Sequence, residues 1–168
     1  MEDREIMEYW GEGNLFRWKE DDIKDSAVPQ SAKKFLITVG LPCNETWSMK
    51  FDNTVSKLPR LARKTHLCQI GWDYEVPLCI DATNGIVVAA ECDIGGDVRF
   101  INSNVKLFGE CLVYYGKYRK KIQTTPDDNL EGAIKLVEEQ VKKSDPRAFS
   151  NKENWWPVII EQMHQGFL

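Results

Sequence analysis

Apolar residues follow two spacings along this chain, and the switch between them lays out the fold. In the last third the spacing is three and four: Val105, Phe108, Leu112 and Tyr115 make one stripe, Leu130, Ala133, Ile134, Val137 and Val141 a second, and Trp155, Ile159 and Met163 a third. Each stripe predicts a helix with one side toward the core. Ser103 is placed to cap the first, Thr125-Pro126-Asp127-Asp128 opens the second, and Pro157 fits the third only within its first turn. Two shorter helices are expected earlier. One covers residues 2–10 and stops at Gly11 and Gly13; the other covers 31–39 and stops at Gly40, with Pro42 just beyond. Between them and the late helices the pattern changes. Residues 46–52, 67–70, 76–82, 86–92 and 98–101 are β-branched and apolar runs separated by turn residues, which predicts consecutive strands. The expectation is an α+β fold, with a mainly antiparallel meander packed by helices.

Composition narrows the class. A chain of 168 residues, 42% hydrophobic and 29% charged, is long enough to bury roughly 70% of the surface its unfolded form exposes, so one domain spanning 1–168 is expected. The acidic start precedes no long apolar run, and no segment approaches the roughly 20 apolar residues of a bilayer span. The five cysteines are odd in number and lack a C-x-x-C pair, which argues for small core residues in a reducing compartment rather than a zinc site or disulfide framework. These features predict a cytoplasmic protein with no membrane partner.

Net charge is −4, but the charges are segregated. Residues 1–25 carry nine acids and four bases, 57–64 four bases and no acid, and 106–121 five bases and one acid. Such a bipolar surface excludes a generally basic nucleic-acid binder, although solvated helix faces would give similar blocks. Within residues 72–98 there are six carboxylates and no Lys or Arg, so the central strands are expected to present an acidic face to something basic.

The turn at 83–85 bears on where those acids point. A two-residue Asn84-Gly85 turn would put Leu78 and Ile80 on one face with Glu91, a poor core. A three-residue Thr83-Asn84-Gly85 loop with Gly85 left-handed puts Val76, Leu78, Ile80 and Ala82 with Ile86, Val88, Ala90 and Cys92, and is preferred. It turns Asp81 and Glu91 to the opposite face and sets Glu75 across from Asp93, a like-charge pair unfavourable by about a few tenths of a kcal/mol unless solvent or a partner relieves it. Arg99 then falls opposite Glu91 and neutralises it. Trp72 and Tyr74 flank the acids, and aromatics beside charges are the composition of interface hot spots, the competing reading of Trp72 being a core indole. The candidate partner-binding residues are therefore Trp72, Tyr74, Glu75, Asp81, Glu91, Asp93 and Asp97.

The run Phe35-Leu36-Ile37-Thr38-Val39-Gly40-Leu41-Pro42, then Ile70-Gly71 leading to Pro77-Leu78-Cys79-Ile80-Asp81, then Asn84-Gly85-Ile86-Val87, then Phe100-Ile101-Asn102-Ser103 ahead of Phe108, resembles the SUKH superfamily, most closely its fourth family. The similarity covers about residues 9–118. It implies a curved sheet packed by helices, and an immunity protein encoded beside a bacterial polymorphic toxin that it binds and blocks, often a nuclease or nucleic-acid deaminase. Its motifs read as architectural, with Gly40 ending a helix, Gly71 and Gly85 turning the chain and Ser103 capping. It implies no catalytic residue. No metal, cofactor or direct nucleic-acid contact is expected, the chain is expected to be a monomer or weak dimer, and the acidic face predicts a basic toxin domain as partner. A regulatory interaction scaffold on the same fold is the alternative. A carboxylate-dependent enzyme is a third reading, weakened by the lack of H-E-x-x-H, G-x-S-x-G or a phosphate-cradling G-x-x-x-x-G-K, and by two histidines, His66 and His164, far apart in sequence.

Overall fold

The computed structural model describes residues 1–43, 49–51, 60–61, 64–90, 98–124 and 130–167. α1 (Asp3–Trp10) opens on a capping box in which the Glu5 carboxylate accepts the Glu2 N–H at 2.6 Å, with acids in the first turn where the helix dipole favours them. β1 (Leu15–Phe16), α2 (Glu20–Ile23) and α3 (Gln30–Thr38) follow, and β2 (Leu41–Pro42) pairs antiparallel with β1. Gly40 makes this return. Its φ is +83°, and a Cβ there would collide with the Phe16 carbonyl.

The main sheet is built from β3 (Met49–Lys50), β4 (Arg60–Leu61), β5 (Lys64–Asp73), β6 (Val76–Asp81), β7 (Val87–Ala90) and β8 (Val98–Asn102). Its order is β3-β5-β6-β7-β8, with β4 also on β5, and every described pairing is antiparallel. The meander from β5 to β8 is the expected one. β5 is longer than predicted, because Gly71 does not turn the chain: it lies inside the strand, at a register shift against β6. A Cβ on Gly71 would run into the Lys50 carbonyl of β3, so the glycine permits close strand approach.

The hairpin register differs from the expected one by one residue. Leu78 faces Ala89, Cys79 faces Val88 and Ile80 faces Val87, which leaves a four-residue loop from Ala82 to Gly85. The loop closes with Asp81 N–H donating to Ile86 C=O at 2.9 Å and Gly85 N–H donating to Asp81 C=O at 2.7 Å. Gly85 is left-handed as predicted, at φ +79°. Side-chain alternation does not select this register because both faces of these strands are buried. Leu78, Ile80, Val87 and Ala89 join the main core, while Cys79, Val88 and Ala90 form a second cluster with Leu67. The next pairing shifts too: Arg99 lies opposite Ala89 rather than Glu91.

The helical layer holds the three predicted stripes. α4 (Val105–Thr124) buries Val105, Phe108, Leu112 and Tyr115; α5 (Leu130–Ser144) buries Ala133, Ile134, Val137 and Val141; α6 (Trp155–His164) buries Trp155, Trp156, Ile159 and Met163. Ser103 does not cap α4. Asn104 does, accepting the Leu107 N–H at 2.9 Å, while the Ser103 hydroxyl donates to Asp145 at 2.8 Å. Asp145 is 2% exposed and also accepts the Ser103 N–H at 2.6 Å and the Asn102 amide at 3.0 Å, and Asn102 in turn accepts the Trp156 indole N–H at 3.0 Å. No helix among the described residues is long and apolar enough to cross a membrane.

A second buried carboxylate ties α4 to α5. Glu110 accepts the Ser144 hydroxyl at 2.6 Å and the Tyr114 hydroxyl at 2.9 Å, and its other oxygen lies 3.1 Å from the amino group of Met1. Burial pushes the Glu110 carboxyl up, but those hydroxyls and the amino group outweigh it and hold the pKa below the usual glutamate value.

Two outcomes follow for stability. Asp145→Ala leaves three donors without their acceptor, one on buried Asn102 and two on half-buried Ser103, and is expected to lose about 3 kcal/mol, read in urea as a lower midpoint at unchanged slope. Glu110 has its folded pKa below its unfolded one, so its contribution is complete above about pH 4.3 and disappears as pH falls through the folded value. Glu110→Gln is therefore expected to be less stable at neutral pH and to lose less stability on acidification, in denaturant melts at a series of pH values.

Candidate functional site

The β5–β6 pairing ends with Asp73 opposite Val76, so Tyr74 and Glu75 form a two-residue hairpin turn. Such tight turns place their first central residue at positive φ, a position usually given to Asn or Gly. Here it is Tyr74, at φ +50°, and it is the sole non-glycine residue with positive φ among the described residues. Its side chain is 74% exposed. The strain is not compensated by packing.

The turn is held from behind. Trp155, buried in the first turn of α6, donates its indole N–H to the Asp73 carboxylate at 2.9 Å and meets Trp156 edge-on at 4.8 Å. Trp156 contacts Tyr115 at 6.4 Å, and Tyr115 stacks with Tyr118 at 6.2 Å. Burial pushes the Tyr115 hydroxyl up to about 12, opposed by the Arg119 charge and reinforced by Tyr118, Asp73 and Tyr74, which places the turn within electrostatic reach of α4. Asp73 Oδ1, Tyr118 Oη and Arg119 Nε are buried with no hydrogen-bond partner among the described residues. Trp18 carries an atom of the same kind elsewhere in the fold, so such atoms do not by themselves mark this corner.

A family model for the SUKH-4 immunity protein matches residues 1–162. The chain belongs to the SUKH-4 immunity protein family. The match takes in α5 and nearly all of α6, beyond the stretch whose residues carry the resemblance in the sequence. No curated protein and no solved structure matches the chain.

Among the candidates, the fold of this SUKH-4 protein brings Trp72, Tyr74 and Glu75 together at one end of the sheet. Trp72 is half-buried in β5, between Lys50 and Pro77, and Glu75 is exposed beside Tyr74. Asp81 is at the far end of β6, about 20 Å away by strand length. Its carboxylate serves the loop: Oδ1 accepts the Thr83 N–H at 2.8 Å and hydroxyl at 2.6 Å, and Oδ2 accepts the Asn84 amide at 3.1 Å. Burial raises the Asp81 pKa, but the Thr83 and Asn84 bonds and the His66 charge together outweigh it and bring the pKa below the usual aspartate value. Glu91, Asp93 and Asp97 lie outside the described residues. Sequence reasoning did not single out Asp73 or Trp155. The signal for Asp73 was a turn of two polar-tipped residues between apolar strands, but the strand before it was ended at residue 70.

The SUKH-4 protein keeps a tyrosine where glycine would relieve strain. Tyr74→Gly is therefore expected to raise stability by about 0.5–1 kcal/mol, as a higher melting temperature with the same fold by circular dichroism.

Proposed function

We propose that this SUKH-4 protein binds a cognate polymorphic toxin, a nuclease or nucleic-acid deaminase, and blocks it through the β5–β6 turn. The observation that carries the reading is Tyr74: an exposed aromatic kept in an unfavourable backbone conformation, on a turn fixed by the Asp73–Trp155 hydrogen bond. Large rigid aromatics supply contact area at little entropic cost, and they dominate interface hot spots. Glu75 adds negative charge beside the ring, and Glu91, Asp93 and Asp97 continue a stretch of sequence without bases. Carboxylates of this kind steer and grip the Lys and Arg residues of a phosphate-binding cleft. Inhibition by occlusion needs no catalytic group, cofactor or metal in the immunity protein, and it takes place in the cytoplasm, where the toxin meets its substrate.

The test is co-expression of the toxin domain encoded by the neighbouring gene, with and without this protein, followed by co-purification and titration. Rescue with an equimolar complex is expected, and Tyr74→Gly and Glu75→Lys should each weaken it by about tenfold or more, equivalent to 1.4 kcal/mol. Tyr74→Gly is the sharper variant, because it should weaken binding while stabilising the fold. Rescue by both variants at wild-type affinity would remove the turn from the interface. Absence of any complex would favour the scaffold reading.

A further inference from the structure

A second surface carries chemistry that the turn does not use. Tyr114, Lys117, Tyr118 and Lys121 fall at i, i+3, i+4 and i+7 on α4, and Ala133, Leu136, Val137 and Gln140 repeat that spacing on α5. The two stripes line a groove of about 340 Å³, at the lower end of the about 300–1,000 Å³ usual for small-molecule sites. A stripe of this spacing runs about 10 Å along a helix.

The lining has two characters. Ala133 and Val137 are buried and apolar, and Leu136 is 53% exposed, a large aliphatic side chain left at the edge. Lys117 is exposed, with no carboxylate partner among the described residues, its described contact being the Tyr9 ring at 5.8 Å. Tyr118 is 3% exposed, and its hydroxyl is buried with no hydrogen-bond partner among the described residues. The charged residues that line the groove, Lys117 and Lys121, are both basic, and the one acid of residues 106–121, Glu110, is turned inward onto Ser144, Tyr114 and Met1.

We infer that the α4–α5 groove binds an aliphatic carboxylate, with the chain on Ala133, Leu136 and Val137 and the carboxylate at Lys117. The apolar lining takes the chain, Lys117 forms a charge-assisted bond to the carboxylate, and Tyr118 is a second donor among the lining residues. A cationic amphiphile would face Lys117, and a neutral one would leave that lysine without a counter-charge. The groove is too small for a partner helix, whose diameter with side chains is about 10–12 Å, so the occupant is a single chain. This site is independent of the turn, and its failure leaves the toxin-binding reading untouched.

The full chain would be titrated with decanoate below its micelle concentration, followed by calorimetry and by backbone amide shifts, with decylamine and 1-decanol as cationic and neutral counterparts. One decanoate per chain should bind saturably, with shifts confined to residues 114–121 and 133–140. Lys117→Glu should weaken it by about tenfold, and Leu136→Glu likewise; both side chains are exposed, so melting temperatures should be unchanged. Decylamine or decanol binding as tightly as decanoate, an unaltered affinity in Lys117→Glu, or no saturable binding up to about 1 mM would each overturn the assignment.

Discussion

The rest of the structure depends on a buried carboxylate, Asp145, that has no ion-pair partner among the described residues. Asp145 follows α5 directly, yet its three described bonds reach back to Asn102 and Ser103 at the junction of β8 and α4, and Asn102 passes the connection to Trp156 of α6. One side chain thus orients the edge strand and three helices. Apolar packing alone tolerates sliding and repacking; directional bonds in a low-dielectric interior do not. The geometry continues outward: Trp156 is followed and preceded by α6 backbone that also positions Trp155, and Trp155 holds Asp73 behind the Tyr74 turn. The exposed aromatic is therefore mounted on a rigid frame whose fixed point is Asp145.

Much of the helical layer was legible because its information is local. The stripes on α4, α5 and α6 are repeated at helical spacing, and each is buried as the spacing requires except at Leu130, which is half-buried at the start of α5. The register of the central hairpin was not legible, since Leu78, Cys79 and Ile80 face Val87, Val88 and Ala89 with apolar residues on both sides of the sheet. When every position is apolar, alternation carries no parity signal, and the loop decides. That decision rests on Asp81, Thr83 and Asn84 satisfying one another, which lengthens the loop by one residue over the expected one. Ser103 illustrates the same limit at long range. It stands where a cap belongs, but its hydroxyl is claimed by a residue 42 positions on, and Asn104 takes the capping role.

The candidate site was legible in composition and illegible in geometry. A stretch of acids without bases stands out in composition, but composition treats all its carboxylates alike. Three-dimensional placement separates them: the Asp81 carboxylate is engaged with its own loop, one oxygen of Asp73 receives an indole from another element, and Glu75 projects from a turn. Short polar sequences such as Asp81-Ala82-Thr83-Asn84 often consume their own acids through side chain to backbone bonds, so a count of acids overstates the charge open to a partner.

Magnitudes explain why a strained turn residue is consistent with an immunity protein. Holding a bulky side chain at positive φ costs about 1–2 kcal/mol, and an exposed ring recovers none of that within its own fold. A buried aromatic at the centre of an interface contributes about 2 kcal/mol or more to the complex. The balance is unfavourable for the free protein and favourable for the pair, provided the ring does not have to be reorganised on binding. The Asp73–Trp155 bond meets that condition by fixing the base of the turn beforehand, so the ordering is done at folding rather than at encounter. For the toxin-binding role proposed above, a small loss of stability in exchange for a preorganised contact is the direction in which the energies point.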